Sequence, residues 1–169
     1  GILGDVTALP ALREVYAAVI AAGGHPTLMM HDETMMRTFL REANDDQLAW
    51  GDPSQQAYYE QADVYIRVGS SQNTRAMTNI PASRTQQANK TRRKFLDLRL
   101  DRAAEGKMNW VGTWFPTEAS AQEANMSLEE YDAFVFGATF CDLEDPVAEW
   151  KKLSAMQQEK VDWLKGKSQ

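Results

Sequence analysis

Four groups of residues in this 169-residue chain have types and spacings that could do chemistry. His31, Asp32 and Glu33 are consecutive, and an imidazole beside two carboxylates can bind a metal ion or exchange protons. The polar run Gly69 to Arg75 offers Asn73, Thr74 and Arg75 as donors to a carboxylate or phosphate. Eight basic residues between Arg84 and Lys107 could face a polyanion, and Cys141, the sole cysteine, could act as a thiolate.

The elements that must position these groups alternate between strand and helix. Residues 2 to 6 are predicted to form a short strand, and Thr7 with Pro10 opens a helix with Leu12, Val15, Tyr16, Val19 and Ile20 at helical spacing. Gly23 and Gly24 stop it. Residues 27 to 30 follow as a second strand, apolar enough to be covered on both faces, which completes a βαβ unit. His31 to Glu33 therefore fall at a strand's carboxyl end, where ligands gather in open parallel sheets. The capping reading is preferred to a metal: Asp32 caps the next helix, Glu33 favours its positive end, and adjacent residues cannot all face one ion without a turn to gather them. His25 reads as a hydrogen-bonded turn residue, and Met35, Met36, Phe39 and Leu40 as core filler.

Residues 44 to 51 break the periodic pattern. Asp52, Pro53 and Gln55 then begin a helix to Ala62, which leads into a third strand at residues 63 to 68, rich in β-branched and aromatic residues. The loop Gly69 to Arg75 again lies at a strand's carboxyl end. It is no Walker loop, having one glycine and no Gly-Lys-Ser/Thr ending, and no GxGxxG occurs. Pro81 to Glu105 is a long helix; with Lys107 its segment carries +5 in a chain of net charge −6. Lys90, Arg92, Arg93 and Lys94 point in different directions at about 100° per residue, so the helix reads as a solvated face with Phe95, Leu96, Leu100 and Ala103 toward the core.

Asn109 to Ala138 is the centre of the organisation. It holds a fourth strand (residues 108 to 114), a turn at Pro116-Thr117, and a capping box from Ser127 to Glu130 flanked by Met126 and Tyr131 as a hydrophobic staple. Tyr131, Phe134, Val135 and Ala138 form an apolar face at helical spacing. Cys141 lies among Phe136, Phe140 and Leu143 and reads as a buried thiol. Asp145 and Pro146 start a last helix with Val147, Trp150, Leu153, Met156, Val161 and Leu164 as its apolar stripe, and residues 165 to 169 make a polar tail. The expected fold is α/β: a mostly parallel sheet of about four strands, helices on both faces, closed by two C-terminal helices.

The acidic balance, with a pI near 5.0, argues against a nucleic-acid or anionic-membrane binder. One cysteine excludes an intrachain disulfide framework and favours a reducing, cytoplasmic setting. No apolar run approaches the roughly 18 to 20 residues of a membrane span, and the opening lacks the features of a signal peptide.

Three stretches then carry a family likeness: Ala8 to Pro26 (ALPALREVYAAVIAAGGHP), Asn73 to Ala76 (NTRA), and above all Trp114 to Trp150, with the fragments FPTEASAQ, MSLEEY and DPVAEW. They resemble the amino-terminal half of the aminopeptidase T and aminopeptidase S family of metallo-aminopeptidases, with the opening strand and helix shortened. The resemblance implies a dimeric, two-domain enzyme in which a separate carboxy-terminal domain binds two divalent metal ions, zinc or cobalt, and hydrolyses amino-terminal residues from peptides. Its metal ligands have no counterpart in this sequence, so no catalytic or metal-binding residue is assigned. The expectation is a single α/β domain over residues 1 to 169, the non-catalytic amino-terminal part of a longer enzyme and inactive alone. Asn73, Thr74, Arg75, Trp114, Pro116 and Thr117 are its expected ligand or cavity-wall contacts. Two other readings stay open: a small-ligand or regulatory α/β module using the Gly69 to Arg75 loop, and an interaction domain docking through the basic helix.

Overall fold

The computed structural model describes residues 1–167; the final two residues of the polar tail, 168 and 169, lie outside the described residues. Four parallel strands, β1 (Ile2–Asp5), β2 (Leu28–His31), β3 (Val64–Gly69) and β4 (Asn109–Trp114), form one sheet in the order β2-β1-β3-β4. All three pairings are parallel, as expected for an α/β fold. The direction of winding reverses between β1 and β3, which makes the carboxyl ends of those strands the topological switch point.

Side chains alternate across the pleat, so register decides which residues share a face. Leu3 pairs with Met29 and Arg67, and Asp5 with His31, which puts these residues and Tyr65 on one face. The opposite face is covered by α1 (Leu9–Ala21): Leu12 packs with Ile2, Ala8 and Val68, and Val15, Val19 and Ile66 border them. The fit is close at Gly4, where an added Cβ would lie 2.4 Å from the Leu12 side chain.

The first face is covered by α4 (Pro53–Gln61) and α5 (Ala82–Ala104). Tyr58 and Tyr65 are buried there with Met108, beside Leu3, Met29 and Tyr59. Tyr59 stacks at 6.0 Å on Phe95 of α5. Burial pushes the Tyr58 and Tyr59 hydroxyls well above the usual tyrosine range, with neighbouring tyrosines adding to the rise. A third apolar cluster joins Leu40, Ala43, Leu48 and Ala88, from α2 (Glu33–Glu42), the segment after it, α3 (Asp45–Ala49) and α5.

Several local expectations are corrected. The pattern break at 44 to 51 contains the short helix α3, because Asn44 and Gln47 form a reciprocal capping box and Leu48 is buried. β2 is an edge strand whose Leu28 and Met30 are exposed, so its apolar run is not covered on both faces. Met35 is exposed on α2, where Leu40 and Met36 supply the packing. His25 is exposed and makes no hydrogen bond among the described residues. Thr7 does not cap α1; a 3-10 turn at Val6–Ala8 precedes that helix.

The chain divides into two compact units, Gly1–Ser120 and the segment from Ala121 onward, with α6 (Glu118–Glu123) running across the division. The second unit contains α7 (Leu128–Ala138) and α8 (Pro146–Lys165). Ser127 and Glu130 form the expected capping box, and hydrogen bonds from Ser127 hold the Glu130 carboxyl below its usual pKa. Phe140 at φ 60° turns the chain after α7; its ring meets Trp150 edge to face at 5.4 Å, and the Trp150 indole donates to the Thr139 carbonyl at 3.0 Å. That turn carries the Cys141 thiol to the surface, so the cysteine is exposed despite its apolar neighbours. The apolar stripes of α7 and α8 include no buried residue; Phe134, Val147, Trp150 and Leu164 are exposed.

Candidate functional site

The carboxyl edge of the sheet assembles a polar row from three strands. Asp5 ends β1 and is buried; its carboxylate accepts from the His31 imidazole of β2 at 2.6 Å through one oxygen. Its other oxygen accepts from Arg67 of β3 and from the Ser70 backbone N–H, both at 2.9 Å. Thr7 and Ser70 share a hydrogen bond between their hydroxyls. A cleft of about 240 Å³ opens on this row, lined by Asp5, Thr7, His31, Glu33, Ser70 and Gln72 among others. It lies at the switch point between β1 and β3.

The Asp32, Glu33 pair divides its roles. Asp32 accepts from the Met35 N–H at 2.8 Å as the N-cap of α2, as expected. Glu33 reaches across to the loop after β3 and accepts from the Gln72 and Asn73 N–H groups at 3.0 and 3.1 Å. Those amides do hold a carboxylate, and it is one supplied by the chain itself.

Of the residues singled out in the sequence, Asn73, Thr74 and Arg75 lie on this loop, with the Asn73 side-chain oxygen accepting from the Arg75 N–H at 3.0 Å. Trp114 is the last residue of β4, and Pro116 and Thr117 lie on the connection that follows it. The two connections meet where the Thr117 hydroxyl donates to the Ser71 carbonyl at 2.7 Å. Trp114 packs against Gly69, where an added Cβ would lie 2.6 Å from its ring, and its indole N–H donates to Ser120 at 3.3 Å. Pro116 is buried.

Asp5, Thr7 and Arg67 were not anticipated in the sequence, and Ser70 only as an unnamed member of the polar run Gly69 to Arg75. Each looks ordinary in its own segment, and only the parallel register brings residues 26 to 65 positions apart into one row. A polar residue closing each of two predicted parallel strands was the available signal.

The basic helix is also corrected. Arg84 donates to the Leu40 and Ala43 carbonyls at the end of α2, and Arg102 to the Tyr59 and Ala62 carbonyls at the end of α4. Both guanidiniums thereby satisfy carbonyls that a helix terminus leaves open. Arg92 and Arg99 share the inward stripe of Phe95 and Leu96, at i, i+3, i+4 and i+7, and line a second cleft on the sheet face. Arg93 alone of the adjacent pair turns outward, to Asp97 at 2.7 Å.

Among the described residues no three His, Cys, Asp or Glu side chains converge as a metal site. The Asp5 and His31 pair does not fit a cation, because both Asp5 oxygens are already engaged and one of them faces the Arg67 guanidinium. No helix of the described residues is long and apolar enough to cross a membrane.

Sheet and edge together define an open parallel α/β unit of the class that forms ligand sites at its carboxyl edge. The chain belongs to the family described as thermophilic metalloprotease (M29), whose model matches residues 1–169, in agreement with the resemblance carried by FPTEASAQ, MSLEEY and DPVAEW. Its fold is similar to that of wild-type AmpT from Thermus thermophilus, with a TM-score of 0.73 and 19% identity over 96% of this chain and 43% of that chain. The chain thus spans less than half the length of that solved structure. No curated protein matches it.

Proposed function

We propose that this chain is the amino-terminal, non-catalytic domain of a cytoplasmic, dinuclear metal-dependent aminopeptidase. The observation that supports this reading is the family match across residues 1–169 combined with coverage of only 43% of the AmpT chain. In this reading the two divalent ions, zinc or cobalt, belong to a carboxy-terminal domain that hydrolyses amino-terminal residues from peptides. A metal ion there would supply a hydroxide nucleophile and stabilise the oxyanion. The present domain positions its partners, including a second copy in a homodimer, and contributes cavity wall through Trp114, Pro116, Thr117 and the Asn73 to Arg75 loop.

The test compares the natural full-length protein with a polypeptide limited to residues 1 to 169, using aminoacyl p-nitroanilides with added zinc or cobalt. The full protein is expected to turn over substrate and the shorter polypeptide is not. Robust metal-dependent turnover by residues 1 to 169 would refute this placement of the chemistry.

The small-ligand reading retains support from the cleft at the switch point. The interaction reading through the basic helix loses Arg84 and Arg102, which serve the termini of α2 and α4.

A further inference from the structure

A cleft of about 430 Å³ lies between the sheet face and helices α2, α4 and α5, a volume within the usual range for small-molecule sites. Its floor and walls include Leu3, Tyr59 and Phe95, and three arginines, Arg67, Arg92 and Arg99, line it. Among the described residues no carboxylate side chain lines it, although the chain as a whole is acidic.

The three arginines differ in what neutralises them. Arg67 is paired with Asp5. Arg92 has no anionic partner among the described residues: its guanidinium donates to the thioether sulfur of Met36, a weak acceptor. Arg99 has neither hydrogen bond nor ion pair there; it lies 5.0 Å over the Tyr65 ring and 5.3 Å over the Trp110 ring, and its buried Nε lacks a partner. Packing around Arg92 lowers its pKa, although much of the side chain is open to solvent. Among the described residues neither Arg92 nor Arg99 has a carboxylate to accept from its guanidinium, and an oxyanion in the cleft would supply a charge-assisted acceptor. The helical spacing that aims both side chains inward also brings Phe95 beside them, so the charges sit over an apolar, aromatic surface.

We propose that this cleft is a binding site for a small organic anion, with a carboxylate or phosphate group held by Arg92 and Arg99 and an apolar or aromatic body against Tyr59 and Phe95. It adjoins the carboxyl-edge cleft, sharing His31 with it, but Arg92, Arg99, Tyr59 and Phe95 belong to this cleft and not to that one, and the proposal does not depend on the peptidase reading.

Isothermal titration of the natural full-length protein with phenyl phosphate and with 3-phenylpropionate tests the site, with phenethylamine as the cationic control. At least one anion is expected to bind saturably and phenethylamine not to bind; the tighter anion identifies the preferred headgroup. Arg92→Gln and Arg99→Gln should each weaken binding about tenfold, as for a lost charge-assisted hydrogen bond, while Arg93→Gln, on the outward side, leaves it unchanged. Because Arg99 also packs on two rings, circular dichroism checks that its variant folds, and exposed Arg92 decides the matter. Absence of saturable anion binding, equal binding of the amine, an equal loss in Arg93→Gln, or insensitivity to Arg92→Gln would each overturn the proposal.

Discussion

Asp5 is the residue on which the carboxyl edge depends. Its carboxylate serves an imidazole, a guanidinium and a buried backbone N–H from three different segments. Asp5→Ala would leave the Ser70 N–H without its acceptor and Arg67 without its counter-charge. Removing one partner of a buried, hydrogen-bonded ionic set is strongly destabilising; with Arg67 and His31 about a third exposed, the cost is discounted to about 3 kcal/mol. Urea denaturation of the wild type and Asp5→Ala measures it, and Asp5→Asn, which keeps an acceptor for Ser70, should recover part of the loss. This row was poorly legible in the sequence because its members are each unremarkable and meet only through strand register. His31 was flagged by its adjacency to two acids, yet its functional neighbour is Asp5, 26 positions away. Cys141 was misread for a related reason: apolar neighbours in sequence do not bury a thiol when Phe140 adopts a left-handed turn.

At the scale of elements, α5 acts as a strap that ends two other helices. Arg84 takes carbonyls at the carboxyl end of α2, and Arg102 those of α4, where a cation also opposes the negative end of the helix dipole. Each of Arg84→Ala and Arg102→Ala should cost about 2 kcal/mol, the scale of a charged hydrogen bond lost from a partly buried site. The residues are 18 positions apart on one helix, about 27 Å at 1.5 Å per residue, so the double variant should show additive losses in thermal unfolding within about 0.5 kcal/mol. A marked departure from additivity would mean that the two helix ends fail together. The elements themselves were largely readable: four strands and the long helices follow from hydrophobic period and from caps at Asp32, Asp52, Ser127 and Asp145, all of which accept the expected backbone N–H bonds. The short helix α3 escaped because one turn carries too little periodicity. The charge pattern of α5 also misled, since a count of basic residues does not tell which of them reach inward to carbonyls.

At the scale of the whole molecule, the sheet's aromatic underside makes global stability depend on alkaline pH. Tyr58 and Tyr59 have hydroxyls whose pKa is raised chiefly by burial, and the next contribution in each is electrostatic, from Tyr65. In the unfolded chain these groups ionise near about pH 10. The native state therefore keeps protons that the unfolded state releases, and the raised folded pKa makes the sign unambiguous: the contribution is complete below about pH 10 and declines as pH rises toward the folded values. Stability should consequently fall across the interval above about pH 10, with two of the five tyrosines ionising only as the chain unfolds. Simultaneous recording of tyrosinate absorbance and far-ultraviolet circular dichroism during alkaline titration separates the alternatives. Late tyrosinate formation coincident with loss of helix is the expected result; full ionisation of all five while the helical signal persists would show that the burial of Tyr58 and Tyr59 does not exclude the phenolate and so does not couple pH to the fold. In Tyr59→Phe the late component should shrink by one tyrosine, and the alkaline loss of stability should become shallower because one proton fewer is released on unfolding.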